Sequence, residues 1–180
     1  MTETQSSILT NIWAELAAAV DKKDHAWRTP VLATSNRNGR PATRTVVLRD
    51  VDADKWQCQF YTDKRSAKCQ QIQAEPTGEL LFWCPDLKWQ LRAEVDYQLL
   101  TSGQLVEQVW QKIAATPAAN DYLSLQPPGS ELHTATNATA YIPNLAVIIA
   151  TIKQIDWLAL TEAGHQRALL SVNSFQRLVP

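Results

Sequence analysis

Residues 89–98 read Trp-Gln-Leu-Arg-Ala-Glu-Val-Asp-Tyr-Gln and alternate apolar and polar side chains without interruption. In an extended strand, successive side chains point to opposite faces, so this period of two places the apolar members on one face. A strand with one buried and one solvated face is typical of antiparallel sheets. The stretch therefore predicts that the fold is organised around an antiparallel sheet.

Similar patterns on both sides of this strand predict further elements. Strands are predicted at 30–35, 42–49, 56–62, 79–84, 145–152, 154–160 and 166–172. Helices are predicted at 7–20, at 67–74 after the N-cap Ser66, and from Thr101 or Ser102 to near Pro117. Asn38-Gly39 predicts a tight turn between the first two strands, residues 50–55 a second turn, and 117–144 a long loop. Strands dominate and hairpins outnumber βαβ units, so the predicted class is α+β, a mostly antiparallel barrel with flanking helices.

The bulk properties indicate one soluble globular domain over residues 1–180. Apolar residues make up 45% and charged residues 19% of the chain, and no apolar run approaches the roughly 20 residues that span a bilayer. The start of the chain lacks the pattern of a secretory leader, which predicts a cytoplasmic protein without a membrane partner. The three cysteines form no Cys-x-x-Cys pair, and the three histidines, His25, His133 and His165, lack metal-like spacing. No metal site is therefore predicted.

Positive charge is concentrated in one part of the sequence. Residues 37–68 hold eight Lys and Arg against four Asp, a net charge of +4. Since the whole chain has a net charge of −1, the remainder carries −5. A basic region on an otherwise acidic protein favours a locally bound anionic ligand, whereas a chain built mainly to hold nucleic acid needs more extensive positive charge. A solvated basic surface is the alternative interpretation of the same pattern.

Two segments of the basic region can bind an anion. Residues 44–49, Arg-Thr-Val-Val-Leu-Arg, place two guanidinium groups on one predicted strand, and arginine donates paired hydrogen bonds to phosphate. A spacing of five puts Arg44 and Arg49 on opposite faces of a regular strand, so a bulge or a strand end is needed for both to reach one ligand. Residues 62–68, Thr-Asp-Lys-Arg-Ser-Ala-Lys, lie where a strand ends and a helix begins, and helix N-termini attract anions.

Taken together and in this order, these segments resemble the FMN site of the pyridoxamine 5'-phosphate oxidase-like family, a family of split barrels. The resemblance covers roughly residues 25–100. Residues 44–49 are similar to that family's Arg-x-Val-Leu-Leu-Lys strand, residues 60–62 to its Phe-Tyr-Thr element and residues 66–68 to its Ser-Arg-Lys element. Leu80-Leu81-Phe82-Trp83 followed by Gln90 is similar to its next hairpin. The fold that the resemblance implies is an FMN-binding split β-barrel.

The resemblance also implies roles for individual residues. The FMN phosphate would be held by Arg44, Arg65, Ser66 and Lys68. Tyr61 and Thr62 would line the site, and Gln90 would reach the flavin ring from a partner subunit. Residues of the strand would run beside the ring with backbone contacts, namely Arg44, Thr45, Val46, Val47, Leu48 and Arg49. The implied assembly is a homodimer with FMN at the subunit interface.

The sequence departs from the full-length oxidases at several places, among them residues 110–117, where the family's Tyr and Arg for the substrate phosphate have no counterpart. Ala67 stands where they carry Arg, although Arg65 matches the spacing of short FMN-binding relatives. Arg167-Ala168-Leu169 falls where they carry the substrate-binding Arg-Leu-His, and the histidine is missing. No catalytic residue is therefore assigned, and the small-molecule substrate stays open, as does the choice between FMN and another flavin or deazaflavin.

Three functional hypotheses remain open from the sequence. The first is an FMN-dependent oxidoreductase, in which the cofactor supplies the difficult chemistry and the protein needs few ionisable catalytic groups. The second is a flavin-binding module without turnover. The third is a small barrel that binds single-stranded nucleic acid, which is disfavoured because the basic residues are not interleaved with aromatic stacking platforms.

Overall fold

Nine β-strands and three α-helices make up the part of the chain that the computed structural model describes, residues 5–131 and 142–180. The strands are β1 (Val31–Ser35), β2 (Pro41–Thr45), β3 (Leu48–Asp52), β4 (Gln57–Asp63), β5 (Thr77–Cys84), β6 (Trp89–Leu100), β7 (Leu145–Ala159), β8 (Gln166–Leu170) and β9 (Phe175–Leu178). The helices are α1 (Gln5–Asp21), α2 (Ala67–Ala74) and α3 (Gln104–Ile113). Every strand pair in these ranges is antiparallel. The predicted α+β class with a mostly antiparallel sheet is confirmed.

The first hairpin forms where the sequence predicts it. β1 pairs with β2, and the turn is closed by the amide of Asn36, which donates to the carbonyl of Arg40 at 2.8 Å. Gly39 adopts a φ of +71°, a conformation that glycine reaches without the steric penalty of a Cβ atom. The Asn-Gly signal therefore identified the turn correctly, and the glycine alone of that pair supplies the left-handed backbone.

The prediction of a single strand over 42–49 is wrong. β2 ends at Thr45 and pairs with β1, whereas β3 begins at Leu48 and pairs with β4. Between them the amide of Val46 donates to the carbonyl of Pro30 at 3.0 Å. Val46 and Leu48 are both buried, so the apolar alternation continues through the break. Periodicity therefore could not show that the chain changes its pairing partner here.

The sheet follows the order β2-β1-β5-β6-β7-β4-β3, with β8 added to β7 and β9 to β8. β2 and β3 thus lie at opposite ends of the path, yet only Val46 and Val47 join them in sequence. The three Cα-to-Cα steps from Thr45 to Leu48 span at most about 11 Å. The sheet must therefore curve strongly, so that its two ends approach each other at this two-residue connection.

β7 is one 15-residue strand, and the prediction of two strands over this stretch is wrong. Its pairing with β6 shifts register between Glu94 and Val95, which face Gln154 and Ile152, so Lys153 is the extra residue of a bulge. The bulge interrupts the alternation, which explains the predicted break. The last strand, β9, was not predicted because its four residues are too short for a clear periodic signal.

The helices pack against strands of the curved sheet, α1 against β3, α2 against β1 and β6, and α3 against β7. α1 begins two residues before the predicted start and buries one apolar stripe in the main core, formed by Ile8, Ile12, Leu16 and Ala19. α2 has the predicted bounds and contacts β1 and β6. α3 begins after Gly103, with φ +97°, and not at Thr101 or Ser102, because the chain needs a left-handed residue to turn from β6 into the helix.

Two further predictions are modified by the structure. The predicted turn at 50–55 is shorter, since β3 continues to Asp52. The predicted loop at 117–144 begins with a 3-10 helix, Pro117–Tyr122, and residues 132–141 with His133 lie outside the described part. Among the described helices, none is long and apolar enough to cross a membrane.

Candidate functional site

The end of β4 and the start of α2 form a corner lined by hydroxyl groups and one ammonium group. Lys68 Nζ donates to Thr62 Oγ1 at 2.9 Å and to Ser66 Oγ at 3.2 Å. Thr62 and Ser66 are buried, and their hydroxyl oxygens lie 3.4 Å apart. Local sequence explains the geometry, because β4 delivers Thr62 while Ser66 takes the N-cap position of α2. The corner therefore presents a cation and two hydroxyls within a few ångströms.

The first turn of α2 adds backbone donors to this corner. The first amides of any α-helix have no acceptor within the helix, and the N-terminus carries a partial positive charge. Ser66 occupies the cap position but its side chain makes no capping hydrogen bond. The hydroxyl instead accepts from Lys68, and the amide of Cys69 donates to the carbonyl of Ser66 at 2.9 Å. Within the described residues, the amides of Ala67 and Lys68 are left for another acceptor.

Arg44 is the second cation near this corner. Its guanidinium donates through Nη1 to Thr34 Oγ1 at 2.8 Å and to the carbonyl of Leu32 at 3.3 Å, and through Nη2 to Gln71 Oε1 at 2.8 Å. Burial lowers the pKa of Lys68, and the positive charge of Arg44 lowers it further, so the two cations act on each other. Within the described residues, neither of them forms an ion pair with a carboxylate.

Arg65 has a different environment from the other predicted phosphate ligands. It donates to Asp63 through Nε at 3.0 Å and through Nη2 at 2.6 Å. Nη1 and Nη2 also donate to three successive backbone carbonyls, those of Ser124, Leu125 and Gln126, at 2.9 to 3.3 Å. All three nitrogens of this guanidinium are therefore engaged by protein acceptors. Its predicted contact with phosphate stays a prediction, for which one N–H of Nη1 remains, because Nη1 donates only to the carbonyl of Leu125.

Arg49 lies beside two tyrosines, away from the contacts that hold Arg44. Its guanidinium carbon is 5.7 Å from the centroid of the Tyr61 ring, and its Nε is buried without a hydrogen-bond partner among the described residues. Burial raises the pKa of both Tyr61 and Tyr122, and the charge of Arg49 opposes that rise in each case. Tyr122 was not singled out from the sequence, because no local motif connects it to a strand about seventy residues earlier.

The remaining predicted residues fall on two surfaces. Thr45 is exposed and Val47 half-buried at the connection between β2 and β3, whose neighbours Val46 and Leu48 are buried. Gln90 lies on the outer face of the sheet, in a cleft of about 250 Å³ that also includes Val31, Thr43, Leu81 and Arg92. No hydrogen bond joins Gln90 to Lys68 or Arg44 in residues 5–131 and 142–180.

The outer face carries exposed apolar side chains next to this cleft. Trp83 is 45% and Leu81 36% exposed, and Trp83 is directly paired with Gln90 between β5 and β6.

Across the described residues, no group of three or more His, Cys, Asp or Glu side chains is arranged to hold a metal ion. The arrangement can bind an anionic group at the corner between β4 and α2. The exposed apolar side chains beside Gln90 can contact an apolar surface of a partner.

Comparison with protein families gives one match over the region of the site. The sequence profile described as "Pyridoxamine 5'-phosphate oxidase, FMN-binding domain" matches residues 10–101. This range contains both basic segments and the residues of the outer-face cleft.

Curated relatives carry the name pyridoxine/pyridoxamine 5'-phosphate oxidase. The protein of Pseudomonas fluorescens (strain SBW25) is 34% identical over 102 residues, 56% of this chain and 40% of the relative. That of Azotobacter vinelandii (strain DJ) is 30% identical over 131 residues, 73% of this chain and 51% of the relative. The matched stretch thus spans about half or less of the length of these relatives.

Two solved structures cover nearly the whole chain. A pyridoxamine 5'-phosphate oxidase-related, FMN-binding protein from Nostoc punctiforme PCC 73102 superposes with a TM-score of 0.76 at 28% identity, over 95% of this chain and 96% of that one. PhzG from Burkholderia lata 383, solved with tetrahydrophenazine-1-carboxylic acid, gives the same TM-score at 16% identity, over 96% and 92%. The second likeness concerns the fold alone.

Proposed function

The chain belongs to the family of the pyridoxamine 5'-phosphate oxidase FMN-binding domain, and from this membership we propose that it is an FMN-dependent oxidoreductase. FMN is the cofactor of the family. We define the phosphate cradle as Arg44, Thr62, Ser66 and Lys68, and assign the FMN phosphate to it. The curved sheet, whose ends approach at Val46 and Val47, supports the split-barrel description.

The observation that carries the proposal is a pair of partly buried cations without a carboxylate. Lys68 donates to two hydroxyl groups and forms no ion pair with a carboxylate within the described residues. Burial lowers its pKa, as does the charge of Arg44. The nearby carboxylate of Asp63 is already bound by Arg65. A phosphate dianion at the cradle would compensate the charges of both Lys68 and Arg44, since it accepts several charge-assisted hydrogen bonds at once. The orphan amides of α2 favour the same ligand.

The rest of the predicted set fits the other parts of FMN. The connection from Arg44 to Arg49 starts at the cradle and ends beside Tyr61, so it can line one side of the bound cofactor with backbone groups. Bound FMN would supply hydride and electron transfer, for which the protein needs no acid and base pair of its own. The protein's part is to hold the phosphate, exclude water from one side and orient a small-molecule substrate.

The outer face of the sheet supports the proposal of a homodimer. Gln90 lies there beside exposed Leu81 and Trp83, on a face separate from the cradle of its own chain. A second copy packed on this face would bury the apolar side chains and could bring its Gln90 to the flavin. We therefore propose a homodimer in which each FMN is bound between the two subunits.

A non-catalytic flavin-binding module is the second candidate. Arg167, at the start of the incomplete substrate motif, is held by Asp156 through Nε at 2.9 Å and Nη2 at 2.7 Å. Its guanidinium is thus engaged within the subunit, and the histidine two positions on is replaced by Leu169. This observation favours FMN binding without oxidation of a pyridoxal-type substrate.

The test is an absorbance spectrum of protein purified after FMN has been added to the lysate. We expect flavin bands near one FMN per chain in the parent and their loss in the Arg44→Ala, Lys68→Ala variant. The matched control is Arg40→Ala, Lys55→Ala, which removes the same charge from exposed positions of the basic region. A colourless parent, or equal loss of colour in the control, would overturn the assignment of the cradle. Reduction of the bound FMN by candidate substrates then separates the oxidoreductase from the binding module.

A further inference from the structure

We propose that Gln71 is a positioning residue that, together with Thr34, orients Arg44 so that one edge of its guanidinium is left for the phosphate of the ligand. This inference rests on the proposed function of the cradle. It goes beyond it because it assigns a role to two side chains that do not themselves belong to the cradle.

The three side chains form a closed hydrogen-bonded triangle. Gln71 Oε1 accepts from Arg44 Nη2 at 2.8 Å and from Thr34 Oγ1 at 2.7 Å, and Arg44 Nη1 donates to Thr34 Oγ1 at 2.8 Å. A guanidinium has no acceptor atom, so the amide atom that faces Arg44 must be the oxygen. Thr34 is buried, which fixes one corner of the triangle in the protein interior.

Counting donors shows what remains for a ligand. A guanidinium has five N–H donors, and Arg44 uses both on Nη1, for Leu32 and Thr34, and one on Nη2, for Gln71. In the part of the chain that the structure describes, Nε donates to no acceptor. Because Gln71 also bonds Thr34, it lies on the Nη1 side of Nη2. The donors left over, one on Nε and one on Nη2, therefore share one edge of the planar group, which suits two oxygens of a phosphate.

The position of Gln71 on α2 gives this contact a second effect. Lys68 and Gln71 are three residues apart in the helix, so they lie on the same helical face. The helix that supplies Lys68 thus also holds Arg44, which belongs to β2. Gln71 thereby sets the separation of the two cations of the cradle, and its loss would leave Arg44 free to rotate on its flexible stem.

The test compares FMN with riboflavin, which lacks the phosphate. Dissociation constants are measured by flavin fluorescence titration for the parent, for Gln71→Met and for the control Gln70→Met, whose residue is the exposed neighbour on α2. We expect Gln71→Met to weaken FMN binding about tenfold and to leave riboflavin binding unchanged, because only the phosphate contact depends on Arg44. The control should change neither constant. A general loss of packing would instead weaken both ligands alike.

A double-mutant cycle tests whether Gln71 acts through Arg44. In Arg44→Met, the change Gln71→Met should have no further effect on FMN binding, since residues that act as one unit are not additive. Gln71→Glu keeps an oxygen acceptor for Arg44 and Thr34 but adds a negative charge. It should fold like the parent by circular dichroism and bind FMN about a hundredfold less tightly, again without an effect on riboflavin.

The outcomes separate a failure of the phosphate cradle from a failure of the role of Gln71. A parent that binds FMN no more tightly than riboflavin would overturn the phosphate cradle and this inference with it. A parent that prefers FMN, combined with an unchanged preference in Gln71→Met and Gln71→Glu, would overturn the role of Gln71 alone. Additive effects in the double-mutant cycle would also reject it.

Discussion

Arg65 and Asp63 form a bidentate ion pair at the edge of the phosphate cradle, with Nη2 2.6 Å from Oδ2 and Nε 3.0 Å from Oδ1. The carboxylate is almost fully buried, whereas the guanidinium also binds the carbonyls of residues 124–126. The pair therefore fastens the segment after Tyr122 to the end of β4. A residue that the sequence pattern marks as an anion ligand has, in this structure, the contacts of a structural clamp.

Asp63→Asn separates these two roles of Arg65. If Arg65 is a clamp, the change should leave FMN affinity within about twofold, because the cradle is untouched, and should lower the free energy of unfolding by about 1–3 kcal/mol. Limited proteolysis should then cut within 123–131 faster than in the parent. Urea unfolding and FMN titration of the same preparation provide the measurements. Markedly tighter FMN binding would mean that freed Arg65 reaches the phosphate, as the sequence predicts.

The affinity for FMN should decrease at both acidic and alkaline pH. The second ionisation of a phosphate monoester has a pKa near 6, so affinity should rise as pH increases through about 6 and the dianion forms. Burial and Arg44 lower the pKa of Lys68, and bound phosphate would raise it again. Affinity should therefore fall as pH rises through the lowered pKa of free Lys68, by up to about tenfold per pH unit.

Lys68→Arg provides the control for the alkaline side of this profile. An arginine stays charged throughout, so the fall in affinity at high pH should disappear while the rise near pH 6 remains. Titrations across pH 5 to 10, a range set by the pKa values of these groups, would show the difference. An identical alkaline fall in both proteins would exclude Lys68 as its source.

Gly78 occupies a position where the backbone of β5 passes close to its neighbours. A Cβ atom there would lie 2.5 Å from a ring carbon of Tyr97, and its closest neighbour would be the carbonyl oxygen of Ala33. Gly78→Ala should lower the free energy of unfolding by about 2–3 kcal/mol, since neither the strand nor the buried ring can move aside cheaply. Thermal unfolding of this variant beside Thr77→Ala, at an exposed position of the same strand, tests the effect. Equal stability of the two variants would contradict it.

The tyrosine ring that crowds Gly78 is itself held in place. Tyr97 donates its hydroxyl to the carbonyls of Ala33 at 3.1 Å and Glu79 at 3.2 Å, which links β6 to β1 and β5. Tyr97→Phe keeps the ring and removes both bonds. We expect a loss of about 1 kcal/mol in stability, measured by urea unfolding, and no change in the FMN to riboflavin affinity ratio. A changed ratio would mean that Tyr97 influences the cradle.

The proposed dimer makes a prediction about the outer face. Leu81→Glu, which places a charge among Leu81, Trp83 and Gln90, should dissociate the dimer because a buried charge without a partner is costly. The matched control is Leu125→Glu, at a leucine that is 50% exposed and does not line the outer-face cleft. Sedimentation velocity should report a monomer for the first variant and a dimer for the second. A monomeric parent would remove the dimer from the proposal.

Much of the architecture could be predicted from local sequence. The apolar stripe of α1, the alternation of β6 and the Asn-Gly turn are each encoded by residues that are neighbours in the chain, and all three were predicted correctly. Local patterns failed where the strand partner changes, at Val46 and Val47, and where a bulge at Lys153 shifts the alternation. In both cases the deciding interaction is with a distant strand.

The sequence by itself determined the antiparallel α+β class, the basic region and the corner at the start of α2, because periodicity, net charge and helix capping depend on residues close together in the chain. Only the tertiary structure decided what each cation does: Arg44 is bound by Gln71, 27 positions away, and Arg65 by carbonyls about 60 positions away. An arginine side chain is long and has five donors, so its partners are chosen by which acceptors the folded sheet brings within reach. That choice depends on strand pairing across the whole chain, which no short pattern encodes.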